Sequence, residues 1–113
     1  GMFVAAVGAD NEDKQELGPA LFGPKNNVVA DVVGQCAAIG DLHHALVAGT
    51  ATVSGVYAEL GEIVCGKKPG RTSAEEITIF DSTGMVLQDV ASAALVYEKA
   101  VAAGKGTRLD FGS

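Results

Sequence analysis

The sequence predicts an α/β domain of about three parallel strands with helices on both faces, and three observations carry the prediction. First, Ile77, Thr78, Ile79 and Phe80 form an unbroken run of β-branched and aromatic residues, which suits a strand covered on both faces. Second, Phe3 to Val7 and Val28 to Ala30 repeat that pattern, and each run ends in polar residues. Third, a length of 113 residues with 48% hydrophobic composition supports one domain with a real core.

Taken in order, Phe3 to Val7 is a buried-type strand at the very start of the sequence. A strand of that kind normally lies between two others, so its position implies a chain without its front part, and an open edge that pairs with another copy. Gly1 before Met2 has the look of a tag-removal scar. The polar loop GADNEDKQEL leads to a short helix over Glu16 to Leu21, made imperfect by Gly18 and Pro19 and ended by Gly23 and Pro24. Val28 to Ala30 follows, closed by Asp31. Strand, helix and strand make a βαβ unit, which places the first two strands side by side and parallel.

Val32 to Ala48 has helical periodicity broken at Gly40 and Asp41, where Asp41 is expected to cap a second short helix. Thr50 to Gly66 reads as one or two helical turns with Ser54 as a cap. The basic loop Gly66 to Arg71 reads as solvated, and Ile77 to Phe80 supplies the third strand. Asp81, Ser82 and Thr83 then offer side-chain oxygens to a helix start, and Gly84 allows a sharp turn. The long helix after it carries Val86, Leu87, Val90, Ala91, Ala94, Leu95 and Val101 at three- and four-residue spacing, and Gly104 stops it. Such a helix needs a surface to cover. Thr107 to Phe111 alternates like a short strand that expects a partner surface.

A net charge of −6, with no basic cluster larger than Lys67, Lys68 and Arg71, argues against nucleic acid and anionic membranes as partners. Small molecules or further copies of the chain fit better. Cys36 and Cys65 lie in apolar surroundings without CxxC spacing and read as buried thiols. His43 and His44 are adjacent, so on a helix they point about 100° apart and do not share a metal ion. With no signal peptide and no apolar run near 20 residues, the expected location is the cytoplasm.

No GxGxxG or Walker loop occurs; Gly104 and Gly106 are followed by Leu109 and lie after a helix. Asp10, Lys14, Ser82 and Thr83 remain, all near the carboxyl ends of predicted parallel strands, where open α/β sheets bind ligands. The free amides of a helix start there favour anions and polar groups.

Five separated segments, AVGADNEDKQEL, ADVVGQCAAIGDLHHAL, YAELGEIVCGKKPGR, EEITIFDSTGMVLQD and GTRLDF, together resemble the ornithine cyclodeaminase and mu-crystallin family, in order and over nearly the whole chain. The resemblance implies an NAD(P)-dependent enzyme of roughly three times this length, of which the chain is the second half of a Rossmann domain plus a C-terminal segment. It implies Asp10 as the acid/base at a substrate amino group, and Val7, Gly8, Ala9, Asp10, Lys14 and Ser82 as contacts to NAD or NADP. Asp10 and Thr83 become substrate contacts. The pattern departs at Asn11, Glu12 and Asp13, where the family commonly has a Pro-Gly turn; the added carboxylates there repel phosphates.

Three functional expectations follow. The chain is a truncated relative, not catalytic in isolation and binding no dinucleotide tightly, that forms a homodimer or larger homo-oligomer. Alternatively it is a working piece of an ornithine cyclodeaminase or of an alanine or other amino-acid dehydrogenase, completed by another chain. A third reading is a small nucleotide- or amino-acid-binding module.

Overall fold

The computed structural model describes residues 1–112. Four parallel strands form one sheet: β1 (Met2–Ala6), β2 (Asn27–Ala30), β3 (Ala58–Glu59) and β4 (Ile77–Asp81). Their spatial order is β1-β4-β2-β3. The expectation that the first two strands lie side by side is therefore wrong, because β4 runs between them and pairs with both. The crossover from β1 skips one position, and the last strand fills it. Ile79 in the middle of β4 has no solvent exposure, as a central strand requires.

The crossover itself is not the expected helix over Glu16 to Leu21. It is a 3-10 turn at Pro19–Phe22, because Pro19 brings no N–H and suits only a first helical position. Beyond β2 the break at Gly40 appears as predicted, between α1 (Val33–Ile39) and α2 (Asp41–Val47). Between Thr50 and Gly66 the chain forms a 3-10 turn at Val53–Gly55, the unexpected strand β3, and α3 (Leu60–Val64). Thr52, not Ser54, caps the 3-10 turn by accepting from Gly55 N–H, and Glu59 with Glu62 forms a capping box on α3. A two-residue strand leaves too short a pattern to read from sequence alone.

Strand alternation sorts the side chains into two faces. Val28, Ala30 and Ile79 point to the side where α1, α2 and the 3-10 turn bring Phe22, Cys36, Leu42 and Ala45, and together these form the core. Val4 and Ile77 pack against its margin. Full burial of Leu42, Ile79 or Val28 contributes about 1.5–3 kcal/mol each. On the opposite face Ile63 of α3 and Gly70 share a small crevice with Val29 and Thr78, while Phe3 is 62% exposed. The basic loop is more than solvated: Arg71 donates to the carbonyls of Met2 and Glu76, and Lys68 donates to Tyr57 O at 2.5 Å.

Helix α4 (Val86–Ala102) follows the sharp turn, with Gly84 at φ +82° and Gly104 at φ +61° marking its two ends. No residue of α4 is buried, so the surface it was expected to cover is not supplied by the described residues. The radius of gyration, 17.9 Å, exceeds the ~13 Å of a compact domain this size, and the extents are 57 × 33 × 21 Å. Thr107 to Phe111 forms no strand, and Phe111 is 92% exposed. Cys36 is buried as expected, but Cys65 is exposed, since α3 ends there after one short turn and does not carry it inward.

Candidate functional site

The carboxyl ends of β1, β4 and β2 lie side by side, and three main-chain and side-chain links join them. Ser82 N–H donates to Ala6 O at 2.9 Å, and Asp31 N–H donates to Asp81 O at 3.0 Å. Ser82 Oγ donates to Asp31 Oδ2 at 2.8 Å. The residues after β1 and after β4 therefore leave the same end of the sheet, as expected, but they follow neighbouring strands only because β4 lies between β1 and β2, which was not expected.

After β1, Val7 is exposed, Gly8 is half-buried and Ala9 is buried. Gly8 N–H donates to Glu16 Oε2 at 2.8 Å, and a Cβ at Gly8 would sit 2.2 Å from Glu16 Oε1. The Glu16 carboxylate thus rests directly on the Gly8 backbone. Asn11 turns the loop by accepting from Asp13 N–H at 3.0 Å and Lys14 N–H at 3.1 Å. That turn returns the Lys14 ammonium to Asp10 Oδ1 at 2.5 Å. The hydrogen bond from Lys14, with its charge, holds the Asp10 carboxyl below its ordinary range. Asp10 is consequently an anion at neutral pH, already partnered by a cation. His44 Nε2 lies 2.8 Å from Lys14 O and steadies the same loop, while His43 Nδ1 lies 3.1 Å from Ala37 O.

After β4 the wiring differs from expectation. Asp81, Ser82 and Thr83 do not cap α4, whose first turn starts at Met85 without a side-chain cap. Asp81 continues the alternation of Ile77 and Ile79 and points inward, where its carboxylate accepts from Leu42 N–H at 2.8 Å and Asp41 N–H at 3.4 Å. It caps α2, the role expected of Asp41. Asp41 turns to the crossover loop and accepts from Glu16 N–H at 2.8 Å and Leu17 N–H at 3.0 Å. Burial pushes the Asp81 carboxyl up to about 6, against the lowering effect of the two amides it accepts from. Asp41 Oδ2 is buried without a hydrogen-bond partner.

Asp31, which closes β2, was not among the predicted site residues, yet it organises this edge. Its Oδ2 accepts from Ser82 Oγ, Thr83 N–H and Gly84 N–H, and its Oδ1 accepts from Val32 N–H at 2.6 Å and Cys36 Sγ at 3.1 Å. Burial acts to raise its carboxyl, but the hydrogen bonds from Cys36, Ser82 and the amides win and hold it below the ordinary range. The available signal was its position, an acid ending a parallel strand. On the far side of Asp31, a cleft of about 390 Å³ lies between Val32, Glu59, Leu60 and Val64 and the start of α4 at Met85 and Gln88.

Among the described residues no three or more His, Cys, Asp or Glu side chains are placed to hold a metal ion, and no helix is long and apolar enough to cross a membrane. A dinucleotide meets mixed conditions. Glu12, Asp13 and Glu16 crowd carboxylates onto the loop after β1, which disfavours a phosphate group beside it. Asp10, with Lys14 on its Oδ1, and the Ser82 hydroxyl offer oxygen acceptors, which suit an uncharged or cationic group better than a phosphate.

Residues 1–104 match the sequence pattern of the ornithine cyclodeaminase/mu-crystallin family. An alanine dehydrogenase of Archaeoglobus fulgidus is 42% identical over 111 residues, which are 98% of this chain and 34% of that protein. The structure of the iminosuccinate reductase of Paracoccus denitrificans in complex with NAD+ superposes with a TM-score of 0.84 at 42% identity, over 96% of this chain and 33% of that one. The Thermococcus litoralis Δ1-pyrroline-2-carboxylate reductase in complex with NADH and L-proline gives a TM-score of 0.85 at 33% identity, over 95% and 33%. The chain spans about a third of the length of the relatives it matches.

Proposed function

The chain belongs to the ornithine cyclodeaminase/mu-crystallin family, and from that premise we propose that it is the second half of a Rossmann NAD(P)-binding domain with its C-terminal segment, not catalytic in isolation. The observation that carries this is the coverage: almost all of the chain aligns with one third of an alanine dehydrogenase. The chemistry that NAD(P) would supply if bound is hydride transfer to or from a carbon bearing nitrogen. The chain's own contribution is Asp10, whose carboxylate holds and moves a proton at a substrate ammonium group. Lys14 pairs with Oδ1 of that carboxylate, and a substrate ammonium would compete with it there or bind at Oδ2. By the family resemblance Val7, Gly8, Ala9, Lys14 and Ser82 belong to the cofactor side and Thr83 to the substrate side, where its buried Oγ1 leaves the rest of the residue to make the contact. Uncharged residues there suit a nicotinamide ring, and the Glu16 carboxylate on Gly8 yields only by side-chain rotation.

A second reading, a working piece completed by another chain, is favoured by α4 and β1. Seventeen residues of α4 contribute nothing to this core, and β1 has a neighbour on one side only. Both are surfaces that a complementing chain, or a second copy, would cover. Among the relatives, an archaeal alanine dehydrogenase is described as a dimer with bound NAD.

Calorimetric titration with NAD and with NADP, followed by ornithine, proline or alanine while absorbance of the reduced nicotinamide is monitored, separates the readings. Weak or no cofactor heat with no turnover is expected of the isolated chain. Turnover by the isolated chain would overturn the proposal.

A further inference from the structure

The Ser82–Gly84 turn has almost no hydrogen-bond donors left to offer. Ser82 N–H is spent on Ala6 O. The Ser82 hydroxyl proton and the N–H groups of Thr83 and Gly84 all go to Asp31 Oδ2, at 2.8, 3.0 and 3.0 Å. Since Asp31 accepts at both oxygens from five donors, it is present as a carboxylate, and Ser82 can be a donor only toward it. What Ser82 Oγ turns to a ligand is its lone pairs. Thr83 Oγ1, the one other polar side-chain atom of the turn, is buried without a partner and is not presented at the surface, so Ser82 Oγ is the side-chain atom a ligand meets. Asp31 itself is 7% exposed, so a buried negative charge stands directly behind these groups. This is the reverse of a phosphate-binding turn, where free N–H groups point at the anion.

We propose that Asp31 is a positioning residue that makes the Ser82–Gly84 turn selective for a ligand group that donates hydrogen bonds and carries no negative charge, a carboxamide or an ammonium, and that excludes anions. The proposal rests on the reading of this turn as one wall of the ligand site. Asp31 acts through the turn and not by touching the ligand. By tying β2 to the segment after β4 it also sets where Ser82 Oγ stands. The carboxamide and the ammonium share one chemistry, N–H donation to oxygen, and differ in charge, so probes tell them apart.

Amide resonances of the 15N-labelled full chain are followed by NMR during separate titrations with nicotinamide, methylammonium and inorganic phosphate. Nicotinamide or methylammonium is expected to shift Ser82, Thr83 and Gly84, and phosphate to leave them in place; the stronger of the first two identifies the source. Hydrogen exchange of Thr83 and Gly84 N–H is expected to speed up at least tenfold in Asp31→Asn, with phosphate now shifting the turn. Phosphate shifting the wild-type turn as strongly as nicotinamide, or no response to any of the three probes, overturns the proposal. Unchanged exchange and unchanged selectivity in Asp31→Asn also overturns it. Should Asp31→Asn not fold, the three-probe comparison on the wild-type chain decides alone. Turnover by the isolated chain with a responsive, phosphate-blind turn defeats the proposed function and leaves this inference standing; no turnover with a phosphate-seeking turn does the opposite.

Discussion

Asp81 shows how one residue couples the sheet to the helices. Its folded carboxyl, raised to about 6 chiefly by burial, exceeds the ordinary 3.8. The folded state therefore holds this proton more tightly than the unfolded chain. Stability from Asp81 is complete below about pH 4 and is lost as pH rises toward 6, by on the order of 3 kcal/mol for a shift of that size. Asp41 and Asp31 face it with like charge and Cys36 packs close by, so no cation offsets the loss. Asp81→Asn is expected to remove this slope, which urea unfolding midpoints at pH 4, 5, 6 and 7 would measure; parallel pH profiles for wild type and variant would refute it. The two cysteines should differ in reactivity. Burial, with Asp31 and Asp81 adding negative charge, pushes the Cys36 thiol up well beyond its ordinary range, whereas Cys65 is exposed. Titration with a chromogenic disulfide should find one fast thiol in the native protein and two in denaturant, and Cys65→Ser should abolish the fast phase.

Among the elements, α1 and α2 meet at a close approach that only glycine permits. A Cβ on Gly40 would stand 2.7 Å from Asp81 Oδ2 and 3.0 Å from the Cys36 Cα, although its φ of −88° suits any residue. Gly40→Ala should therefore lower stability by about 1–3 kcal/mol through crowding. Gly34 lies in α1 with open space around it, so Gly34→Ala should raise stability by about 0.5–1 kcal/mol through backbone entropy. Both are read as shifts in denaturation midpoint, and equal effects would show that space is not what distinguishes the two sites. Leu42 has no exposure in the core between α2 and the sheet, and Leu42→Ala should cost about 2–5 kcal/mol.

For the whole molecule, the notable fact is apolar surface without cover. Met2, Phe3 and Val7 on the edge strand and its exit are each at least 60% exposed, as are Val86, Leu87 and Val96 on α4. Apolar patches of that kind and an open strand edge drive association. Size-exclusion chromatography with light scattering should give a dimer or larger, and Leu87→Lys combined with Val96→Lys should shift the population toward monomer. A clean wild-type monomer at high concentration would count against this.

Local pattern sufficed wherever a residue's role depended on its near neighbours. The core of β4, the break at Gly40, the left-handed turns at Gly84 and Gly104, and the grouping of Asp10 and Ser82 at one sheet edge all follow from period, composition and the direction of parallel strands. Strand order did not follow, because a crossover that skips a position looks the same in sequence as one that does not; only the insertion of β4 separates β1 from β2. Nor did the partners of the buried acids. Asp31, Asp41 and Asp81 each end or begin an element, and each binds amides far along the chain, 24 to 53 residues away in the cases of Asp41 with Leu17, Asp81 with Leu42 and Asp31 with Gly84. Propensity acts over a few residues, whereas a carboxylate in a buried site goes to whichever unpaired N–H the packing of distant elements brings within reach.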